Sequence, residues 1–132
     1  MIVHHSALIA ILLNQPEAAE IIAAIETAPR RMALPTCVLE THLALVAAKT
    51  IEPEAGAEIM DRLITTAGIH LVSVTPEMTR EALGAAALYP RLTVADAVAV
   101  AAGRSWRTTI MRTADASKRF PAGAMTPPLK TV

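Results

Sequence analysis

Met1-Ile-Val-His-His-Ser-Ala-Leu-Ile-Ala-Ile-Leu-Leu13 is the stretch on which the predicted fold depends. Its first three apolar residues predict a short buried strand, and the apolar residues after Ser6 predict a helix. A strand that turns directly into a helix ends at the carboxyl edge of a sheet, where open α/β folds build their sites. The polar residues at this junction, His4, His5 and Ser6, are therefore the first candidates for chemistry. The alternative is that they are turn and cap residues, with Ser6 capping the helix.

The length of 132 residues predicts one domain with a single core, at residues 1–120, followed by a C-terminal tail at residues 121–132. The tail contains three prolines and no hydrophobic periodicity, so we expect it to be loosely held. Cys37 has no second cysteine to pair with, which fits a reducing compartment. The apolar N-terminus lacks a basic leader and is too short to span a bilayer. We therefore expect a soluble, cytoplasmic protein that does not contact membranes.

Charge is unevenly divided along the chain, although the formal net charge is zero. Residues 1–90 carry five basic and ten acidic residues, whereas residues 91–132 carry seven basic and two acidic ones. Such a division would allow the basic residues to form one face that binds the phosphates of a nucleic acid. The alternative is that these charges are scattered over the solvated surface. Tyr89, Trp106 and Phe120 are the only aromatic residues, so base recognition by an aromatic platform is not expected.

Strand-like and helical segments alternate along the chain. We predict strands at residues 1–3, 32–34, 69–74 and 108–111, of which the third has the clearest pattern. Helices are predicted at residues 7–13, 17–26, 35–48, 53–67, 76–88 and 95–102, with Gly103 ending the last one. Thr75-Pro76 and the capping box Thr93-Val-Ala-Asp96 mark two helix starts. This order predicts an α/β fold with a small, mainly parallel sheet and helices on both faces.

Several common catalytic motifs are missing: the glycine-rich phosphate loops, the G-x-S-x-G nucleophile turn and paired Cys or His zinc spacings. The polar residues left at element boundaries are His4, Ser6, Glu40, Asp96 and Asp115. Carboxylates gathered from distant parts of a chain repel one another and need a cation. A Mg²⁺ or Mn²⁺ ion held in this way suits phosphodiester hydrolysis. Alternatively, Glu40 is a solvated early-helix acid, Asp96 a capping group and Asp115 a loop acid.

The opening M-I-V-H-H-S-A-L-I-A-I-L resembles the start of a PIN domain of the VapC type, in which the usual run is M-I-V-D-T-S-A-L. The resemblance continues with V-L-E at Glu40, T-V-A-D-A-V-A-V-A at Asp96, and I-M-R-T-A-D-A-S-K-R-F, which contains Thr113 and Phe120. It covers about residues 1–120 and implies a PIN-like three-layer fold. It also implies a metal-dependent endoribonuclease, the toxin of a toxin-antitoxin pair, with an RNA substrate, a Mg²⁺ cofactor, a cognate antitoxin and a homodimeric assembly.

The same resemblance assigns roles to individual residues. It implies that Glu40 and Asp96 are metal ligands or orient them, and that Ser6 is a hydrogen-bonding partner in the catalytic site. Asp115 or Thr113 is implied to be a weaker fourth member of that site.

The chain departs from the VapC pattern at its first acidic position, where His4 stands in place of aspartate. An imidazole brings no negative charge and is a poor ligand for Mg²⁺, which demands hard oxygen ligands. We therefore predict that a metal site formed by His4, Glu40 and Asp96 binds Mg²⁺ weakly and favours Mn²⁺ or another transition metal.

Two other functions stay open. One is a pseudoenzyme that keeps the fold and its partner surface but does not cut RNA. The other is an unrelated, receiver-like α/β binding module, against which the absence of an acidic pair after the first strand argues. For the partner surface we predict an apolar groove between the first two helices, formed by Leu12, Leu13, Ile21, Ile22 and Ile25. The alternative is that these residues belong to the core.

Overall fold

The computed structural model describes residues 1–120 and the backbone of residues 130–131. The strands are β1 (Ile2–Val3), β2 (Met32–Ala33), β3 (His70–Leu71), β4 (Ile110–Arg112) and β5 (Lys130–Thr131). The helices are α1 (His5–Leu12), α2 (Ala18–Thr27), α3 (Pro35–Ala47), α4 (Gly56–Ala67), α5 (Pro76–Leu88), α6 (Val94–Trp106) and α7 (Ala114–Ser117), and a single 3-10 turn lies at Pro53–Ala55.

The five strands form one sheet in the order β3-β2-β1-β4-β5, and every neighbouring pair is parallel. Ile2 is in register with Met32 on one side and with Ile110 on the other. Because all the strands run in one direction, the residues that follow β1 and β4 emerge at the same edge of the sheet. The predicted α/β fold with a parallel sheet is confirmed.

The two residues of β1 face opposite layers, as the alternation of side chains along a strand requires. Ile2 belongs to a buried cluster with residues of α3, α5 and α6, and Val3 belongs to a cluster with residues of α1, α2 and α4. Both side chains are fully buried. Helices therefore cover both faces of the sheet, and the fold has three layers.

Local capping signals set the starts of several helices. Pro35 and Pro76 lie in the first turn of α3 and α5, where the missing N–H of proline has no consequence. The Thr75 hydroxyl accepts a hydrogen bond from the N–H of Met78. These starts agree with the predicted positions.

Gly103 does not end the sixth helix, contrary to the prediction. The helix continues to Trp106 and ends at Arg107, which has a φ of 48° in the left-handed region. A Cβ at Gly103 would lie 3.0 Å from Cδ1 of Ile110 and 3.4 Å from the carbonyl oxygen of Thr108. The glycine therefore allows α6 to pack closely against the start of β4.

The predicted strand at residues 69–74 is reduced to the two residues of β3. The hydrogen-bonded pairing of β3 extends only as far as its neighbour β2, which ends just before Pro35 begins α3. The last hydrogen bond between these segments runs from the N–H of Val72 to the carbonyl of Ala33, over 3.0 Å. Val72 and Val74 instead pack against the core, which explains their apolar character.

Three further details were not apparent from the sequence. Helix α3 exposes two leucines, Leu39 and Leu43, which are 58% and 54% accessible, while Cys37 and Leu45 are buried. Helix α7 was not predicted. Strand β5, also not predicted, lies in the predicted tail, of which residues 121–129 and 132 fall outside the described residues. The boundary between domain and tail stays a prediction.

No helix in the described part of the chain has the length and apolar character needed to cross a membrane.

Candidate active site

His4 is the residue at which β1 becomes α1. It has extended backbone angles, φ −74° and ψ 154°, and its side chain caps the helix by accepting a hydrogen bond from the N–H of Ser6, over 3.1 Å. The cap is therefore His4 and not Ser6, as one interpretation of the sequence had it. The His4 side chain is fully buried, which is costly for a polar group unless both ring nitrogens are paired.

Both ring nitrogens of His4 are paired. Because the N–H of Ser6 donates to Nδ1, neutral His4 carries its proton on Nε2. The Ser6 hydroxyl also lies 2.8 Å from Nδ1 and accepts a hydrogen bond from the N–H of Thr113, over 3.1 Å. Ser6 thus joins the ends of β1 and β4 through side-chain hydrogen bonds, in keeping with the hydrogen-bonding role that the resemblance implies for it.

Asp96 accepts the Nε2 proton of His4, with 2.6 Å between Nε2 and Oδ1. The aspartate is fully buried and also completes the predicted capping box of α6. In that box the N–H of Asp96 donates to the Thr93 hydroxyl over 3.1 Å, and the N–H of Thr93 donates to Oδ2 over 2.9 Å. The same carboxylate therefore holds both the start of α6 and the imidazole of His4.

Arg119 makes two further hydrogen bonds to Asp96. Its Nε donates to Oδ2 over 2.6 Å and its Nη2 donates to Oδ1 over 3.1 Å. This two-point geometry is the strongest way for a guanidinium to hold a carboxylate. The Arg119 side chain is 29% exposed, so it lies between the buried carboxylate and solvent. Sequence reasoning missed this residue as a member of the site.

The charges of these groups follow from their surroundings. Burial alone would raise the pKa of Asp96, but hydrogen bonds from His4, Arg119 and Thr93 outweigh burial and hold that pKa well below its usual range. Burial lowers the pKa of His4, and the hydrogen bond to Asp96 offsets this effect only in part. At neutral pH the pair is a carboxylate and a neutral imidazole, with Arg119 as the balancing cation.

His5 lies beside this pair, and its ring centroid is 3.9 Å from that of His4. Its Nε2 is 4.0 Å from Oδ1 of Asp96, and its buried Nδ1 has no hydrogen-bond partner among the described residues. Burial, with a further effect of the neighbouring His4, lowers the pKa of His5 to about 3. His5 is thus a neutral imidazole whose Nδ1 is unpartnered among the described residues.

His4, His5 and Asp96 form a three-residue cluster that could hold a divalent metal ion, since their ligand atoms lie within 4.8 Å of one another. Two nitrogens and one carboxylate suit a transition metal and do not fit Mg²⁺. The unpartnered nitrogen of His5 supports such an ion. However, Arg119 already neutralises Asp96, so a metal ion and the Arg119 contacts compete for the same oxygens.

Glu40 and Asp115 lie outside the three-residue cluster but line the cleft beside it. This cleft has a volume of about 320 Å³ and is also lined by His5, Ser6 and Arg119. Glu40 is half-buried, whereas Asp115 is exposed and pairs with Lys118 over 3.1 Å. The metal-ligand role of Glu40 and the catalytic role of Asp115 stay predictions.

Phe120 and Arg112 are buried neighbours of this site. The Phe120 ring meets His4 edge-on with 5.7 Å between centroids, and Cζ of Arg112 lies 5.3 Å from the centroid of Phe120. Nε and Nη1 of Arg112 have no hydrogen-bond partner among the described residues, and burial lowers the pKa of Arg112 to about 10. Its charge contributes to keeping His4 neutral.

The comparisons with known proteins establish the fold. No known protein family matches the chain by sequence, and no curated protein matches it. A chain in a toxin-antitoxin complex from Klebsiella pneumoniae is similar in structure, with a TM-score of 0.68, 14% identity, and 98% of each chain covered. VapBC2 from Rickettsia felis, bound to a DNA fragment from its promoter, is also similar, with a TM-score of 0.67, 11% identity, and 99% of this chain and 98% of that chain covered. The three-layer fold is therefore the PIN-like fold of VapC-type structures, as the sequence predicted.

Proposed function

We propose that the chain is a VapC-type endoribonuclease, the toxin of a toxin-antitoxin pair, and that it works with a transition metal ion such as Mn²⁺ in place of Mg²⁺. The cluster of His4, His5 and Asp96 carries this proposal, because two imidazoles and a carboxylate match such an ion and one of them, His5, lines the polar cleft. The fold similarity to toxin-antitoxin structures supports the choice of an antitoxin partner. The choice of RNA rests on the resemblance of the sequence motifs to the VapC pattern.

In this proposal His4, His5 and Asp96 would hold the ion, with the His4 proton on Nδ1, where the Ser6 hydroxyl can accept it, so that Nε2 is free to bind the metal. The ion would supply an activated water and neutralise charge on the phosphate. Glu40, on the cleft wall, is the group available to accept the proton of the attacking water, since it has no hydrogen bond or ion pair within residues 1–120. Arg119 leaves Asp96 and then contacts a phosphate oxygen of the RNA, a role that suits its two-point donor geometry.

The proposed antitoxin docks on the exposed part of α1 and α2. Leu13 and Ile22 are 37% and 40% accessible, whereas Ile21 and Ile25 are buried in the core. Of the groove predicted from the sequence, the two buried isoleucines are therefore core residues, and Leu13 and Ile22 are left as the contact positions. Assembly into a homodimer stays part of the proposal.

A second candidate is a protein that keeps the fold and the antitoxin surface but does not cleave RNA. The observation that favours it is the double contact between Arg119 and Asp96, because an arginine seated on the central carboxylate supplies the positive charge that the site otherwise needs from a metal. In this case Arg119 is a permanent structural partner of Asp96.

Cleavage of a structured RNA with Mg²⁺ and with Mn²⁺ separates the two candidates. We expect cleavage by the natural chain with Mn²⁺ and little with Mg²⁺. Cleavage should be lost in Asp96→Asn, which keeps an oxygen for the capping box but removes the charge. Absence of cleavage with every divalent ion, in the natural chain and in Arg119→Gln, would leave the non-cleaving candidate.

A further inference from the structure

A second pocket lies at the opposite, amino edge of the sheet. Its volume of about 990 Å³ is three times that of the cleft at the carboxyl edge. Its walls come from the starts of the strands and from the ends of α2, α4 and α6. Its lining includes Arg30, Arg31, Leu71, Trp106 and Arg107. A volume of this size is at the upper end of the range of small-molecule sites.

The lining of this amino-edge pocket contains three arginines, one histidine and no acidic residue. The cleft at the other edge is lined by Glu17, Glu40 and Asp115 with one arginine. The two edges of the sheet therefore differ in charge, and the amino edge is the basic one. A pocket with this balance attracts anions such as phosphate groups.

Arg31 has a structural role in the amino-edge pocket. Its guanidinium donates to the carbonyl oxygens of Glu26, Ala28 and Ala67, over 2.7 to 3.3 Å. These carbonyls belong to the ends of α2 and α4, where the helix dipole places partial negative charge. Arg31 therefore offsets the partial negative charge of these helix ends, which would otherwise repel an anion from the pocket.

Arg30 and Arg107 are the arginines available to a ligand. Both are exposed, and neither side chain has a hydrogen bond or ion pair within residues 1–120. Other basic residues of the C-terminal part are engaged elsewhere: Arg119 with Asp96, and Lys118 with Asp115. Arg107 is held at φ 48° at the end of α6, so its backbone position is fixed by the helix.

Trp106 precedes Arg107 and lines the same pocket. It is 38% accessible and is the only tryptophan of the chain. Leu71, which is 53% accessible, adds apolar surface to the lining. An exposed indole beside two guanidinium groups that have no partner within residues 1–120 is the combination that binds an unpaired base together with its phosphates. A single ring serves one base and does not form a platform for several.

We propose that the amino-edge pocket binds a single-stranded segment of RNA, with one base stacked on Trp106 and the adjoining phosphates held by Arg30 and Arg107. The choice of RNA rests on the proposed ribonuclease function. The binding itself does not depend on cleavage, because the pocket shares no residue with the cleft that contains Glu40.

Because Trp106 is the only tryptophan, intrinsic fluorescence of the full chain reports directly on this pocket. The titration uses a six-nucleotide single-stranded RNA in EDTA, with the same DNA sequence and inorganic phosphate as comparison ligands. We expect saturable quenching by the RNA and weaker quenching by DNA, with phosphate alone ineffective. Unchanged fluorescence at RNA concentrations that bind by anisotropy would overturn the proposal, since binding would then lie elsewhere.

Variants locate the binding more closely. Arg30→Gln and Arg107→Asn should each weaken RNA binding about fivefold to tenfold and each reduce the dependence of affinity on salt. Asparagine is chosen at 107 because it tolerates the left-handed backbone. Arg62→Gln, on the exposed face of α4, is the matched control and should have no effect. Equal weakening by all three variants would overturn the pocket assignment in favour of a general charge effect.

Stacking is tested by fluorescence anisotropy of labelled RNA, which needs no tryptophan. Trp106→Ala should weaken binding at least about fivefold, and Trp106→Phe should retain most of the affinity because a ring is still present. Unchanged affinity in Trp106→Ala would overturn the stacking part of the proposal. Failure of these binding tests is distinguishable from failure of the ribonuclease proposal, because the cleavage assay with Mn²⁺ is independent of them.

Discussion

Arg119 and Asp96 are joined by two hydrogen bonds, one to each carboxylate oxygen, across 23 residues of sequence. Asp96 is fully buried, so its charge must be balanced within the protein. In a carboxylate-rich site a divalent cation supplies that balance. Here the guanidinium does so, and the single charge of Arg119 balances a site in which position 4 is a neutral histidine. Arg119 therefore balances the charge of Asp96, and the neutral His4 adds no second charge that would need a metal ion.

Replacement of Arg119 should lower the free energy of unfolding and raise the affinity for a metal ion. Arg119→Gln leaves a buried carboxylate with fewer partners, so the free energy of unfolding in EDTA should fall by roughly 1–3 kcal/mol. The freed oxygens should bind Mn²⁺ at least about tenfold more tightly, as measured by calorimetric titration. Lys118→Gln is the control, because Lys118 pairs with exposed Asp115 and an exposed pair contributes little. A variant that loses stability without gaining Mn²⁺ affinity would argue against the metal site.

Placing an acid at position 4 should make stability depend on Mg²⁺. His4→Asp removes the hydrogen bond from Nε2 to Asp96 and adds a second buried carboxylate, so the melting temperature in EDTA should drop by several degrees. Added Mg²⁺ should recover most of that loss, because a ligand that binds the folded state stabilises it. His4→Asn, of similar size but uncharged, should lose stability without recovery. The natural chain should not respond to Mg²⁺.

Acid should destabilise the protein through the buried histidines. The pKa of His5 is about 3 in the folded chain and near 6.5 when unfolded, so the unfolded state binds more protons between these values. Stability is therefore greatest above pH 6.5 and falls as the pH decreases towards 3, by at most about 1.4 kcal/mol per pH unit for this group. His4, whose pKa is also lowered, acts in the same direction. In urea titrations between pH 7 and 4.5, His5→Gln should show a shallower decline, and an unchanged decline would contradict the assignment.

The antitoxin surface can be tested by two neighbouring isoleucines of α2. Ile22 is 40% accessible and Ile21 is fully buried. Ile22→Asp should abolish antitoxin binding in a pull-down while unfolding stays cooperative, whereas Ile21→Asp should destabilise the fold itself. Leu43→Asp, on the exposed face of α3, is a matched surface control. If Leu43→Asp and not Ile22→Asp removes binding, the partner surface lies on α3.

Truncation tests the predicted boundary at residue 120. Deleting residues 121–132 removes β5, a two-residue strand that pairs only with β4 in the described structure. We expect thermal unfolding, followed by circular dichroism, to stay cooperative with a modest decrease in melting temperature. A non-cooperative transition would show that the domain extends beyond residue 120.

Features controlled by neighbouring residues in sequence were predictable. The caps at Thr75 and Thr93, the prolines that open helices and the strand-to-helix junction at His4 are local signals, and the structure agrees with each. The parallel sheet followed from the alternation of strands and helices. His4 and Asp96 meet because β1 ends at the carboxyl edge of the sheet and α6, which leads back to the start of the parallel strand β4, begins at that same edge.

Features that depend on tertiary packing were not predictable. Nothing near Arg119 in the sequence indicates which acid it contacts, and the Arg-Phe pair at 119–120 was recognised only as part of a resemblance. Gly103 was taken for a helix stop because its contact with Ile110 forms only when α6 packs on the sheet. Similarly, Ile69 to Val74 has the composition of a strand, but its pairing is limited by the short β2.

The capping box of α6 has an evolutionary consequence. Asp96 begins a helix as well as pairing with His4 and Arg119, since it also bonds to the backbone of Thr93. Under the proposed ribonuclease function, a lineage that lost the activity would still be under selection to retain this aspartate, because its loss would remove the capping box of α6. The Glu40 side chain makes no comparable hydrogen bond to the backbone within residues 1–120, so its substitution would not remove a helix cap. Under the proposed function, the residue at position 40 would thus be a better record of retained nuclease activity among descendants of this protein than the more prominent acid at position 96.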